Sequence, residues 1–315
     1  MSHLHKTTSS SPAALLTTAP PMPAPHPVSV RSRSAAHSTA FGRPRDFLGN
    51  RFIYLTVSAR ARGLSVGVNL NPDRLCNFDC AYCDVDRRLP LPEQTLDVDA
   101  MAEELQHTLD LVISGRIHDH PAYRSLPREL LVLRHVALSG DGEPTLCPNF
   151  SDAVEAVVHV RARGTFPFFK IVLLTNATGL DTPAVDLSLK LLTDADEIWA
   201  KLDAGTQSFM DRVNNPQVPL KHILANILTL GRQRPVIIQS MFLALNGQGP
   251  TTDELAEYLA RLNELKSAGA HIPLVQVYSP TRPMARAECG HLPLKNLSDI
   301  AKLIRSSTGL PAEVF

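Results

Sequence analysis

Beyond residue 50, short apolar runs of strand length alternate with longer stretches of helical periodicity. The runs are Ser65–Leu70, Val132–Leu138, Lys170–Thr175, Glu197–Leu202, Val236–Leu243 and Leu274–Tyr278. Lys170–Thr175 and Val236–Leu243 are nearly continuous, as strands buried on both faces are. The other four carry interior polar residues or a glycine. Helical stretches lie between them. Val98–Ser114 sets Met101, Leu105, Leu109 and Ile113 four apart on one face. Ser151–Arg161, Ala184–Leu192, Leu220–Arg232, Thr252–Ala268 and Asn296–Ser307 follow the later strands, and Thr252-Asp253-Glu254 reads as a capped helix start. Six β/α units in succession predict an α/β fold with a parallel sheet and right-handed crossovers. An open (β/α)6 TIM-like barrel is the first expectation and a doubly wound sheet the second. In both, ligands gather at the C-terminal ends of the strands.

Residues 1–48 differ in character. They are rich in Ser, Thr, Pro, Ala and His, with no acidic residue before Asp46. Such a segment buries little apolar surface, so a disordered low-complexity tail is expected ahead of a core domain at 49–315. Its prolines interrupt any secretory apolar stretch, while its lack of acids leaves an organelle transit peptide open. Hydrophobic residues make up 44% of the 315, and 31 basic residues balance 31 acidic ones. A zero net charge gives no global signal for a nucleic-acid partner. No apolar run approaches the roughly 18 residues of a membrane span, so a soluble, cytoplasmic protein with no membrane partner is expected.

Five cysteines are present, and Cys76, Cys80 and Cys83 fall within eight residues just after the first predicted strand. An odd count with this clustering is unlike a disulfide framework. Thiolates suit iron–sulfur clusters and zinc. Zinc sites usually bring ligands in two pairs, and the nearest downstream histidines, His107, His118 and His120, form no neat second pair. Three thiolates on a four-iron cluster leave one iron open.

Leu75-Cys76-Asn77-Phe78-Asp79-Cys80-Ala81-Tyr82-Cys83 resembles the Cys-x3-Cys-x-aromatic-Cys hallmark of radical S-adenosylmethionine enzymes. With Gly67-Val68-Asn69-Leu70 before it, the segment is similar to the wybutosine-synthesis enzymes and related Fe–S oxidoreductases. The resemblance runs from about Gly63 to about Tyr278. It implies a partial barrel of the radical S-adenosylmethionine type and a [4Fe–4S] cluster on Cys76, Cys80 and Cys83. It also implies S-adenosylmethionine on the fourth iron and an electron donor such as flavodoxin or ferredoxin. The family's Gly-Gly-Glu element aligns with Asp141-Gly142-Glu143 inside Gly140-Asp141-Gly142-Glu143-Pro144, with Asp141 where a glycine is usual. Tyr82 joins this expected cofactor site, as do Asn176, Lys201 and Asp203 at the next strand ends. Lys201 would face the methionine carboxylate and Asp203 a ribose hydroxyl.

Gln239 and Gln276 are candidates to face the barrel interior. Cys147 and Cys289 read as small buried residues, with Cys289 in a loop able to reach the substrate side. The implied reaction is reductive cleavage of S-adenosylmethionine and hydrogen abstraction from a small molecule or tRNA base. An activating enzyme for a partner protein and a non-catalytic Fe–S or zinc module are the competing classes.

Overall fold

Ile53, Leu55 and Val57 are buried while the residues between them are half-buried, the period-2 pattern of a strand with one face on the core. This strand, β1 (Ile53–Ser58), opens the computed structural model, which describes residues 47–87, 95–281, 284 and 286–315. It pairs antiparallel with β2 (Gly63–Asn69) through the turn at 59–62. The chain then runs through β3 (Leu133–Ser139), β4 (Lys170–Thr175), β5 (Glu197–Lys201), β6 (Val236–Met241), β7 (Leu243–Leu245), β8 (Val275–Tyr278), β9 (Cys289–His291) and β10 (Ala312–Val314). The helices are α1 (Val98–Ile113), α2 (Phe150–Ala162), α3 (Pro183–Leu189), α4 (Gln207–Val213), α5 (Leu220–Gly231), α6 (Thr252–Ser267) and α7 (Leu294–Thr308).

One eight-stranded sheet has the order β1-β2-β3-β4-β5-β6-β8-β10, parallel from β2 onward. The order never reverses, so the topological switch of a doubly wound sheet is absent from it. The sheet curls into a half-barrel, the first of the two expected architectures. Its two edges approach each other: Arg62 in the β1–β2 turn pairs with Glu313 on β10, and the Arg60 guanidinium lies 4.2 Å from the centre of the Tyr278 ring. β7 and β9 form a separate two-stranded ribbon.

All six predicted strands are present within two residues, except that Val236–Leu243 is divided at Phe242 into β6 and β7. β1, β9, β10 and α4 are additions. On α1, Met101, Leu105 and Leu109 are buried as the periodicity predicts, but Ile113 is exposed and Val112 takes the inner position. Four-residue steps drift around a 3.6-residue helix, so the fourth member leaves the face. The α6 cap is Thr251, one residue earlier than expected, with its side chain accepting from the Glu254 N–H. Glu254 is buried and accepts from Gly205 N and Thr206 Oγ1, tying α6 to the end of β5. Phe47 is also buried, against His120 and Tyr123. The packed region therefore begins no later than residue 47, and positions 1–46 of the expected tail lie outside the described residues. No helix among the described residues is long and apolar enough to cross a membrane.

Asp196 holds the outer layer to the sheet. Its buried carboxylate takes a bidentate pair from Arg161 of α2, at 2.6 and 3.0 Å, and accepts from Ile171 N and Thr193 N, both at 2.7 Å. Burial alone would raise its pKa, but these donors outweigh burial and hold it below the ordinary aspartate value. Its stabilising contribution is thus complete above that ordinary value and is lost as the pH falls through the lowered one. Asp196→Ala leaves Arg161 charged and unpaired, and should cost about 3–5 kcal/mol in a denaturant-unfolding measurement.

Candidate functional site

The loop after β2 carries the three cysteines, and its main chain is anchored on two sides. On one side, Asp79 N donates to Asn214 O at 2.9 Å and Ala81 N to Val213 O at 2.8 Å. These are carbonyls at the end of α4, which have no partner within the helix. Gln217 N returns a bond to Asn77 O at 2.9 Å. On the other side, the loop lies against the turn after β3: Glu143 N donates to Leu75 O at 2.8 Å, and Asn71 Nδ2 donates to Glu143 O at 3.0 Å.

This second contact explains the glycines. A Cβ on Gly142 would come within 1.8 Å of Leu75 O, and one on Gly140 within 2.3 Å of Asn71 Oδ1. At Gly142 the close approach is made by the backbone of the chain's own cysteine loop, and at Gly140 by the Asn71 side chain. Asp141 N donates to Asn69 Oδ1 at 2.9 Å, continuing the same seam.

The Glu143 side chain is buried and spans two strand ends. It accepts from Thr145 Oγ1 at 2.7 Å, Thr175 Oγ1 at 2.5 Å and Asn176 N at 2.7 Å. Burial raises its pKa, partly offset by these donors. Both its carboxylate and its backbone N–H and C=O are therefore engaged within the protein. Asn176 Nδ2 reaches back to Asn77 Oδ1 at 2.8 Å, and Thr178 Oγ1 closes the triangle with both asparagines. Asn77 lies between the first two cysteines, so the end of β4 also positions the loop.

A buried polar cluster lies beneath Cys80. Asn214 Nδ2 donates to Asp203 Oδ2 at 2.8 Å and to Tyr82 Oη at 3.1 Å, and sits 3.4 Å from Cys80 Sγ. Tyr82 Oη donates to Asp203 Oδ2, and Asp203 Oδ1 accepts from Met241 N at 2.8 Å. Lys201 Nζ is 3.4 Å from Asp203 Oδ2 and 4.8 Å from the Tyr82 ring centre. Burial would lower the Lys201 pKa, but the Asp203 charge beside it outweighs burial and raises it. Burial, reinforced by Asp203, raises Tyr82 well above its ordinary value. Tyr82 therefore remains a donor and Lys201 a cation.

A cavity of about 440 Å³ opens at this end of the sheet, within the range of small-molecule sites. Its wall includes Cys76, Cys80, Cys83, Tyr82, Gly140 through Pro144, Asn176, Lys201 and Gln239. Asp203, expected at a ribose hydroxyl, is not on that wall, and its carboxylate is already taken by Tyr82, Asn214, Met241 and Lys201. Gln239 donates to Gln276 at 3.2 Å. Cys147 is buried in the main core, and Cys289 packs in a small cluster with Ala81, Tyr82 and Leu243. Among the described residues, no three His, Cys, Asp or Glu side chains gather tightly enough to enclose a single ion. Asn214, Asn71, Asn77 and Thr178 were not singled out by the sequence, where they are ordinary loop and helix-end residues.

No family model matches the chain. UPF0026 protein slr1464 of Synechocystis sp. is 27% identical over 242 residues, covering 73% of this chain and 76% of that protein. A radical SAM methyltransferase from Sphaerobacter thermophilus superposes with a TM-score of 0.57 at 14% identity, over 84% of this chain and 68% of the other. TYW1 with a lysine–pyruvate adduct bound gives 0.52 at 16% identity, over 81% and 84%. The fold is that of the radical S-adenosylmethionine enzymes. At these identities the likeness is one of architecture, and the cysteine loop follows the first parallel strand of that architecture.

The loop's seating on Gly142 is open to test. Gly142→Ala should cost about 1–3 kcal/mol of stability through overpacking. It should also speed alkylation of Cys76 and Cys80 by iodoacetamide, read by mass spectrometry, because the loop must lift from Leu75 outward.

Proposed function

We propose that this chain is a radical S-adenosylmethionine enzyme whose Cys76, Cys80 and Cys83 hold a [4Fe–4S] cluster. The observation that carries the reading is that three thiols of one loop, none in a disulfide, face one cavity at the C-terminal ends of a parallel half-barrel. The donor set fits the group. Thiols spread along a wall, rather than gathered about one point, suit a centre whose ligands attach to separate iron atoms. Burial raises Cys76 to about 11 and raises Cys80, so these two thiols, when free, stay protonated and make poor nucleophiles. A metal centre that displaces those protons is the better use for them. Phe78 N and Asn214 Nδ2, each 3.4 Å from a cysteine sulfur, add N–H donors of the kind that support bound thiolates.

When bound, the cluster would supply the electron for reductive cleavage of S-adenosylmethionine, yielding methionine and a 5′-deoxyadenosyl radical that takes hydrogen from a substrate. The chain's own residues do the positioning. Glu143, Asn176 and Asn77 fix the loop against the strand ends. Asp203 and Asn214 hold Tyr82 and Lys201 at the cavity wall. Lys201 lies on that wall as a cation, suited to a carboxylate such as that of the methionine moiety. The enclosing barrel separates reactive carbon from solvent and from stray C–H bonds.

Anaerobic reconstitution should give iron and acid-labile sulfide in equal amounts, and Cys80→Ala should lose most of both. The reduced protein should then form 5′-deoxyadenosine from S-adenosylmethionine. A fully reduced cluster that yields none would overturn the reading. Asn214→Ala removes an N–H donor from Cys80 sulfur, and the cluster's midpoint potential should become more negative, since such bonds favour the electron-rich reduced state.

A further inference from the structure

The cavity continues below the cysteine end into a region that the proposed cofactor chemistry does not use. Thr56 of β1, Ser65 of β2 and His135 of β3 are paired in register, forming one polar row across three adjacent strands, and all three line the cavity. His135 is 5% exposed and Ser65 4%. Among the described residues, neither His135 ring nitrogen has a hydrogen-bond partner, and neither does the Ser65 hydroxyl. Both groups face the open cavity, so their donors and acceptors are available to a molecule that enters it. The flat wall beside this row is Trp199, whose ring meets His135 edge-on at 5.4 Å between centroids. The Trp199 N–H is spent on Glu197 at 2.8 Å, leaving the ring as an apolar surface. Val172, Ile237 and Leu174 pack with it.

The charges differ between the two ends. The acidic residues on the cavity wall are Asp84, Asp141 and Glu143, all in the loops at the cysteine end. The lower region has Arg60, held over the Tyr278 ring. Burial, then the Lys170 and Arg60 cations, push the His135 imidazole down to about 4. At neutral pH it is therefore uncharged and offers one N–H donor and one acceptor. Lys170 itself pairs with Glu197.

We propose that this lower region is a substrate subsite for a small carboxylic acid with a flat apolar body. The carboxylate accepts from Arg60, His135 and the hydroxyl row, and the body lies on Trp199. A carboxylate is the group that suits a guanidinium, an N–H and hydroxyls together, and the nearby Glu197 carboxylate is already engaged by Lys170 and the Trp199 N–H. As the place of a substrate, it rests on the enzymatic reading above; as a binding site, it does not.

Trp199 is the single tryptophan of the chain, so its fluorescence reports directly on this wall. The full-length chain, as purified and again after cluster reconstitution, is titrated with 3-phenylpropionate, its neutral amide 3-phenylpropanamide, and inorganic phosphate. A saturable change with the carboxylate is expected, with the amide weaker by about tenfold or more, the scale of one charge-assisted hydrogen bond. Arg60→Met and His135→Leu should each weaken the carboxylate by a similar factor. Arg60 sits in a surface turn, so its variant decides the matter should His135→Leu fail to fold, as shown by its thermal unfolding. The proposal is overturned if the amide or phosphate binds as tightly as the carboxylate, if no probe binds, or if Arg60→Met leaves the affinity unchanged. Binding is read without turnover. A subsite that fails while 5′-deoxyadenosine still forms therefore refutes only the subsite, and binding without 5′-deoxyadenosine refutes only the radical chemistry.

Discussion

The structure around the cavity depends on satisfying the backbone of one irregular loop. A loop that presents three cysteines to a cavity cannot form a ladder of its own, so its N–H and C=O groups must find partners elsewhere. Here they find the last carbonyls of α4, at Val213 and Asn214, and the turn after β3, at Glu143. Each side solves the other's problem: the helix end gains donors that it lacks internally, and the loop gains fixed acceptors. The contact with the β3 turn requires glycine at 142, where the two backbones approach more closely than a Cβ permits, and leaves room at Gly140 for the Asn71 side chain.

Buried charge is used in the same way throughout the molecule. Glu143, Asp196, Asp203 and Glu254 are all buried, and each accepts from backbone N–H groups and from side chains of other elements. Each costs desolvation and offsets it through several donors, so each works as a many-armed joint between strand ends. Glu143 joins β3 to β4, Asp203 joins β5 to β6, and Glu254 joins α6 to the turn after β5. The cavity wall is thereby set by polar joints at the strand ends, while the helix layer outside combines apolar packing with the Asp196 and Glu254 ties. The lower cavity is the exception: among the described residues, Ser65 and His135 have no such partners and face the cavity.

Much of this architecture was legible in the sequence. Buried parallel strands need continuous apolar runs, and amphipathic helices need their own period, so the β/α alternation survives as a pattern in one dimension. β1 did carry a signal, the alternation of Ile53, Leu55 and Val57, but its neighbours are of middling polarity and it adjoins an apparent tail. β9 and β10, at three residues each, are too short to show a period. α4 is only seven residues long, and its length is supported by the cysteine loop docked on its end. The spacing of Cys76, Cys80 and Cys83, and the glycines of 140–143, were visible because they are local.

The sequence by itself determined the repeating β/α order, the cysteine array and its place after the first parallel strand, because these rest on neighbours along the chain. Only the tertiary structure decided that Asn214, 134 positions after Cys80, lies against its sulfur, and that Asp203 braces Tyr82 rather than lining the cavity. It alone aligned Thr56, Ser65 and His135 in one row. Hydrogen bonds act over about three ångströms, and no pattern in a linear chain reports which distant residues come within that range.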